Sequence, residues 1–179
     1  LHKALHAVLS DQAKQAGSLV APTHLRFDFN HPEAMTPEQI ERVEKMVNEA
    51  IAADMPVHKE TKSLDEAKKE GAMALFGEKY GDVVRIVKID SLSVELCGGT
   101  HVRNTGQIAL LRVLSESGVA AGVRRIEAVT GRGAYEHLRS REAVLEQIGA
   151  RLKVPSGSPD LVERRVESLV AEKRALEKK

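Results

Sequence analysis

Ser91-Leu92-Ser93-Val94-Glu95-Leu96-Cys97-Gly98-Gly99-Thr100-His101 alternates polar and apolar residues up to Leu96, then breaks at two glycines between the only cysteine and a histidine. The alternation predicts a half-buried strand, and the glycines predict a tight turn that ordinary side chains would resist. Such a turn can aim the Cys97 thiol and the His101 imidazole into one space. A lone cysteine is most often a small buried apolar residue, and that is the plain alternative. A thiolate and an imidazole at this spacing can also share zinc, which accepts mixed sulfur and nitrogen ligands and is usually four-coordinate. Two further protein ligands would then have to come from elsewhere.

Working outward, other short elements flank this strand. Val83 to Ile89 reads as a strand before it, and Gln107 to Ser115 and Val123 to Val129 as strands after it, the last two joined by a glycine-bearing loop from Ser117 to Gly122. Upstream, Ala4, Leu5, Val8 and Leu9 form one face of a first helix expected to run to about Gln15, where Gly17 stops it. Ser18 to Ala21 and His24 to Phe29 suit a hairpin around Pro22-Thr23, with Leu25, Phe27 and Phe29 on one face. Thr36, Pro37 and Gln39 form a capping signature for a helix with the apolar stripe Ile40, Val43, Val47 and Ile51. Pro56 ends that helix and opens a strand from Val57 to about Thr61. Ser63 and Glu66 cap a short helix from Leu64 to Gly71, followed by a small, apolar stretch from Gly71 to Gly77 that suits a buried loop. Uneven alternation of strands and helices predicts an α+β fold, a mixed or antiparallel sheet packed with helices.

From Tyr135 the pattern changes. Leu138, Leu145, Ile148 and Leu152 take heptad-like positions, Pro155 to Pro159 breaks the helix, and Val162, Val166, Leu169 and Leu176 resume the spacing. The expected organisation is one domain over residues 1–134 and a helical hairpin or coiled-coil tail over 135–179.

Composition narrows the function. With 179 residues, 42% apolar and 30% charged, the chain can bury a core. One cysteine excludes an internal disulfide, and no apolar run reaches the roughly 20 residues that span a bilayer. A net charge of +1 limits nucleic-acid contact to a local patch. The expected setting is the cytoplasm, with no membrane partner. The chain starts at Leu1 without an initiator methionine, and reads as a piece that enters in mid-helix.

Several long motifs occur in one order: Gly17-Ser18-Leu19-Val20, Leu25-Arg26-Phe27-Asp28-Phe29, Gly71-Ala72-Met73-Ala74-Leu75-Phe76-Gly77-Glu78-Lys79-Tyr80, Glu95-Leu96-Cys97-Gly98-Gly99-Thr100-His101, and Ser115-Glu116-Ser117-Gly118 to Gly122-Val123-Arg124-Arg125-Ile126-Glu127-Ala128-Val129-Thr130-Gly131. In this order and spacing the chain resembles the editing domain of alanyl-tRNA synthetases, of the type called the second additional domain, and the start of the helical linker that follows it. It is similar, more distantly, to free-standing alanyl-tRNA editing proteins and to the editing domain of threonyl-tRNA synthetases.

The resemblance implies a zinc-dependent deacylase that hydrolyses tRNA for alanine wrongly charged with serine or glycine. It makes Cys97 and His101 the second ligand pair and Gln15 a polar editing-pocket position. The first pair, two histidines on the opening helix, would in the family register lie just before Leu1. His2 and His6 mimic that pair, but using them would shift the helix by roughly 4.5 Å, three residues at 1.5 Å each. The expectation is therefore half a zinc site, with weak metal binding and little hydrolysis until the helix turn is restored. Zinc could orient the substrate amine, orient a serine hydroxyl or polarise a water. Cys97 as covalent nucleophile is the alternative that the resemblance disfavours.

Arg124 and Arg125 alternate to opposite faces of a strand. One is expected to meet the phosphates or ribose of the tRNA acceptor end, the other to pair with Glu127 or Glu116; Lys79 and Arg103 are weaker candidates. The partners implied are the tRNA acceptor end and the rest of the synthetase, whose ATP-binding core is expected outside this chain, since no glycine-rich stretch here has the lysine and hydroxyl pattern of a phosphate loop. The competing reading is a module that positions tRNA or self-associates through the helices after Tyr135, with a structural or incomplete metal site.

Overall fold

The structure is a computed structural model that describes residues 1–73, 81–155 and 157–178. It divides into two compact units, Leu1–Ala134 and Tyr135–Lys179.

The first unit is α+β and built on two antiparallel sheets. Strands β1 (Gln15–Val20), β2 (Leu25–Asn30), β6 (Leu111–Ala120) and β7 (Val123–Thr130) form one sheet in the order β1-β2-β7-β6. Strands β3 (Val57–Ser63), β4 (Val83–Ile89) and β5 (Ser93–Leu96) form the other, with β4 in the centre. Alternation along β2 sends Phe27 and Phe29 into a core with Leu5 of helix α1 (His2–Val8), Val43 and Ile51 of helix α2 (Pro37–Ala52), and Ile126 and Ala128 of β7. A second, smaller core joins Val84, Ile86 and Leu96 to Ala67 of helix α3 (Leu64–Lys69).

Both capping boxes form. Thr36 accepts from the Gln39 amide while the Gln39 side chain accepts from the Thr36 amide, and Ser63 and Glu66 repeat the arrangement at α3. Helix α2 is tied to the sheet by Asn48, whose amide group donates to the Leu111 carbonyl at 2.9 Å and accepts from the Leu111 amide at 2.8 Å.

Three expectations are corrected. Helix α1 ends at Val8, not near Gln15: Ala13 N–H donates to Ser10 O, and the Lys14 carbonyl accepts from Asn30, which draws the chain into the sheet. Gln15 therefore opens β1. Residues from Gln107 do not start a strand, because Thr105–Ile108 is a single 3-10 turn closed by Ala109 at φ 65°. The Ser117 to Gly122 segment is mostly strand, since β6 and β7 form a hairpin as far as Ala120 paired with Val123. Gly118 serves that strand by leaving room: an added Cβ would lie 2.9 Å from the Arg124 guanidinium. Residues 74–80, which hold most of the expected buried loop and Lys79, lie outside the described residues.

In the second unit, helix α4 (Gly131–Arg151), which begins at the end of the first unit, is followed by helix α5 (Pro159–Glu177). They approach closely at Gly149, where an added Cβ would meet Val162 at 3.3 Å. Val162 is buried there, while Leu138, Leu145, Val166, Leu169 and Leu176 are exposed. Among the described residues no helix is long and apolar enough to cross a membrane.

Candidate functional site

Strand β5 pairs with β4 up to Leu96 opposite Ile86, and the Cys97 N–H makes one more bond, donating to the Arg85 carbonyl at 3.1 Å. Past this rung the chain turns, and His101 Nε2 comes to 3.3 Å from Cys97 Sγ. The two residues singled out by spacing are therefore side by side. The glycines act differently from expectation, for neither Gly98 nor Gly99 has positive φ. Gly99 instead keeps the pair open, since an added Cβ would lie 3.6 Å from Cys97 Sγ and 3.9 Å from His101 Nε2.

The turn is anchored on both flanks. Arg85, on β4, donates from Nη1 to Gly98 O at 3.2 Å and from Nη2 to Gly99 O at 2.7 Å. Lys59 Nζ, on β3, donates to His101 O at 3.1 Å. Downstream, Thr105 Oγ1 donates to Ala50 O and accepts from Met55 N–H, and Asp54 accepts from Gly106 N–H, fastening the segment after His101 to the end of α2. Burial, then the Arg85 and Lys59 charges, hold the His101 imidazole below its ordinary pKa, with Glu95 opposing them. A neutral imidazole has a lone pair to offer a cation.

Cys97 and His101 line a cavity of about 410 Å³ between the two sheets. Its apolar wall includes Leu25, Val47, Ile51, Ile89, Leu92 and Leu111, and its polar groups include Ser18, Ser93, Glu95 and Thr130. His2 also lines it, only 7% exposed, and stacks edge-on with His6 at 4.4 Å between ring centres. His2 Nδ1 is 3.7 Å from Glu95 Oε1, and neither ring nitrogen of His2 has a hydrogen-bond partner. Burial pushes the Glu95 carboxyl up, but contacts with His2 and Ser93 outweigh it and leave its pKa lowered.

Among the described residues no group of three or more histidine, cysteine, aspartate or glutamate side chains is arranged to hold a metal ion. Cys97 and His101 are suitable in chemistry and geometry as two donors. His2 lines the same cavity but is not grouped with them in this arrangement.

Gln15 does not line the cavity, but its Nε2 donates to Ser18 Oγ at 2.9 Å and Ser18 does. Arg124 pairs with Glu116 through two bonds of 2.6 and 2.7 Å, and Arg125 with Asp28 through two of 2.7 and 2.8 Å. Glu116 was foreseen as a partner, Asp28 was not. Arg103 uses its backbone, donating to Gln107 Oε1 and accepting from Val57 N–H.

Residues 84–127, which contain β5, the turn and both arginines, match the family described as Threonyl and Alanyl tRNA synthetase second additional domain. Over 178 residues the chain is 53% identical to an alanine–tRNA ligase of Fervidobacterium nodosum and 55% identical to one of Nitratidesulfovibrio vulgaris, in each case 99% of this chain. One from Bacillus subtilis is 55% identical over 153 residues, 86% of this chain. The chain belongs to the alanyl-tRNA synthetase family. It spans 20% of the length of the first two relatives and 17% of the third.

Two contributors to this synthetase-family site were missed from sequence. Arg85 is a cation inside the apolar run Val83-Val84-Arg85-Ile86-Val87, and that break in pattern was the available signal. Glu95 stood in the quoted motif, but its proximity to His2 joins β5 to α1, and no local spacing reports it.

Proposed function

We propose that this chain is the hydrolytic editing part of an alanyl-tRNA synthetase, removing serine or glycine from wrongly charged tRNA for alanine. The supporting observation is the contact of Cys97 with His101 in the wall of a cavity large enough for an aminoacyl ester. Such an activity has a physical motive. An alanine pocket cannot exclude glycine by size, and it rejects an added hydroxyl only about a hundredfold in comparable cases, so a second, hydrolytic sieve is needed.

In this reading Cys97 and His101 hold zinc, with two more donors supplied by the histidine pair that the family register puts ahead of Leu1. The metal, when bound, supplies a positive centre for orienting the substrate or polarising water. The chain's own residues do the rest. His101 offers a neutral ring nitrogen, the apolar wall keeps bulk water from the ester, and Ser18, steadied by Gln15, presents a polar group to the aminoacyl end. In this reading water is the attacker.

The acceptor end of the tRNA is the partner, and translation in the cytoplasm is the setting. The test is release of serine from seryl-tRNA for alanine by the synthetase containing this segment, against its Cys97→Ala variant. Loss of hydrolysis with retained tRNA binding supports the proposal. Undiminished hydrolysis overturns the ligand role, and binding without hydrolysis in both proteins favours a tRNA-positioning module.

A further inference from the structure

We infer that Arg85 is the positioning residue that holds Cys97 and His101 in contact. Alternation along β4 sends Val84 and Ile86 into the smaller core and Arg85 to the opposite face, beside Val87, which lines the cavity. From there one planar guanidinium reaches two successive carbonyls, those of Gly98 and Gly99, at 3.2 and 2.7 Å. The Arg85 carbonyl meanwhile accepts from Cys97 N–H. A single residue thus grips the backbone of Cys97, Gly98 and Gly99. Two glycines otherwise leave this turn much conformational freedom, and here they take φ values open to any residue, so the grip and not the glycine backbone selects the geometry. A fork with two donors suits two adjacent acceptors, and lysine, a point charge, cannot reproduce it. The Arg85 guanidinium donates to the backbone of the turn and to neither Cys97 Sγ nor the His101 ring, so it holds their positions through that backbone. Only the consequence for metal affinity rests on the proposed editing function.

The test compares this chain with its Arg85→Ala and Arg85→Lys variants by NMR, reading the Overhauser contact between the Cys97 β protons and the His101 ring. Contacts across the β4–β5 ladder serve as the internal control for folding. The expected result is loss of the Cys97–His101 contact in Arg85→Ala and partial retention in Arg85→Lys, with the ladder contacts intact in both. Persistence of the contact in Arg85→Ala overturns the inference. If Arg85→Ala does not fold, Arg85→Lys decides alone, and a full-strength contact in it overturns the fork argument. Cobalt(II) titration, followed by the thiolate-to-metal absorption, separates this inference from the editing proposal. Where the wild-type chain binds cobalt, Arg85→Ala is expected to bind about 10–100-fold more weakly, the usual effect of removing a group that orients a ligand. Absence of cobalt binding in every protein counts against metal held by this chain alone and leaves the NMR result to decide the role of Arg85.

Discussion

Gly99 lies against both members of the Cys97–His101 pair. Its hydrogen leaves a Cβ-sized space in ordinary contact with both Cys97 Sγ and His101 Nε2, so alanine fits and leucine does not. In the protein extended upstream through the histidine pair of the family register, Gly99→Ala is expected to fold and to bind cobalt(II) within about threefold of its parent, whereas Gly99→Leu folds but loses the metal, as a branched side chain must displace one ligand. A titration of both variants checks this. Asp28 makes a second prediction. The Arg125 guanidinium beside it holds its carboxyl below the ordinary 3.8, so the pair contributes stability that is present above that value and lost as pH falls through the lower folded value. Asp28→Asn should lower the melting temperature at neutral pH, with the gap to wild type closing only in strong acid. A gap unchanged down to pH 2 would show that the pair does not carry this pH dependence.

Among the elements, α2 is the one that joins local signals to the sheet. Thr36→Ala removes a capping acceptor and is expected to cost about 1 kcal/mol in denaturant unfolding. Asn48→Ala leaves both polar groups of the buried Leu111 backbone unpaired, and is expected to cost about 1–3 kcal/mol by the same measurement. This contrast also explains what was legible in the sequence. Capping boxes at Thr36 and Ser63, the alternation in β2 and the strand at Val83–Ile89 are set by residues a few positions apart and appeared as read, whereas β5 begins at Ser93, two residues later than its alternation suggested. The end of α1 was not legible, because Leu5, Leu9 and Ala13 continue a helical spacing while Ser10, Asp11 and Gln12 already turn. Nor was the length of β6, where Gly118 looks like a loop residue until Arg124 is seen above it. Cys97 and His101 could be found from sequence because one short turn joins them. Arg85 could not be assigned its role, since its partners lie across a strand pair.

On the scale of the whole chain, the apolar interior belongs to the first unit. Leu1–Ala134 encloses both apolar cores, whereas in Tyr135–Lys179 few apolar side chains beyond Val162 are buried among the described residues. Removing the helical unit is therefore expected to leave the thermal transition of the first unit nearly unchanged, and a large fall would show that the helices support it. The proposed function rests on Cys97 and His101 being two of the four donors of a catalytic metal site. The most direct measurement is zinc content together with hydrolysis of serine-charged tRNA for alanine, for this chain and for one extended upstream through the histidine pair of the family register. The account predicts one zinc and hydrolysis in the extended protein only. One zinc and full hydrolysis in this chain alone would contradict it and make His2 and His6 the remaining ligands.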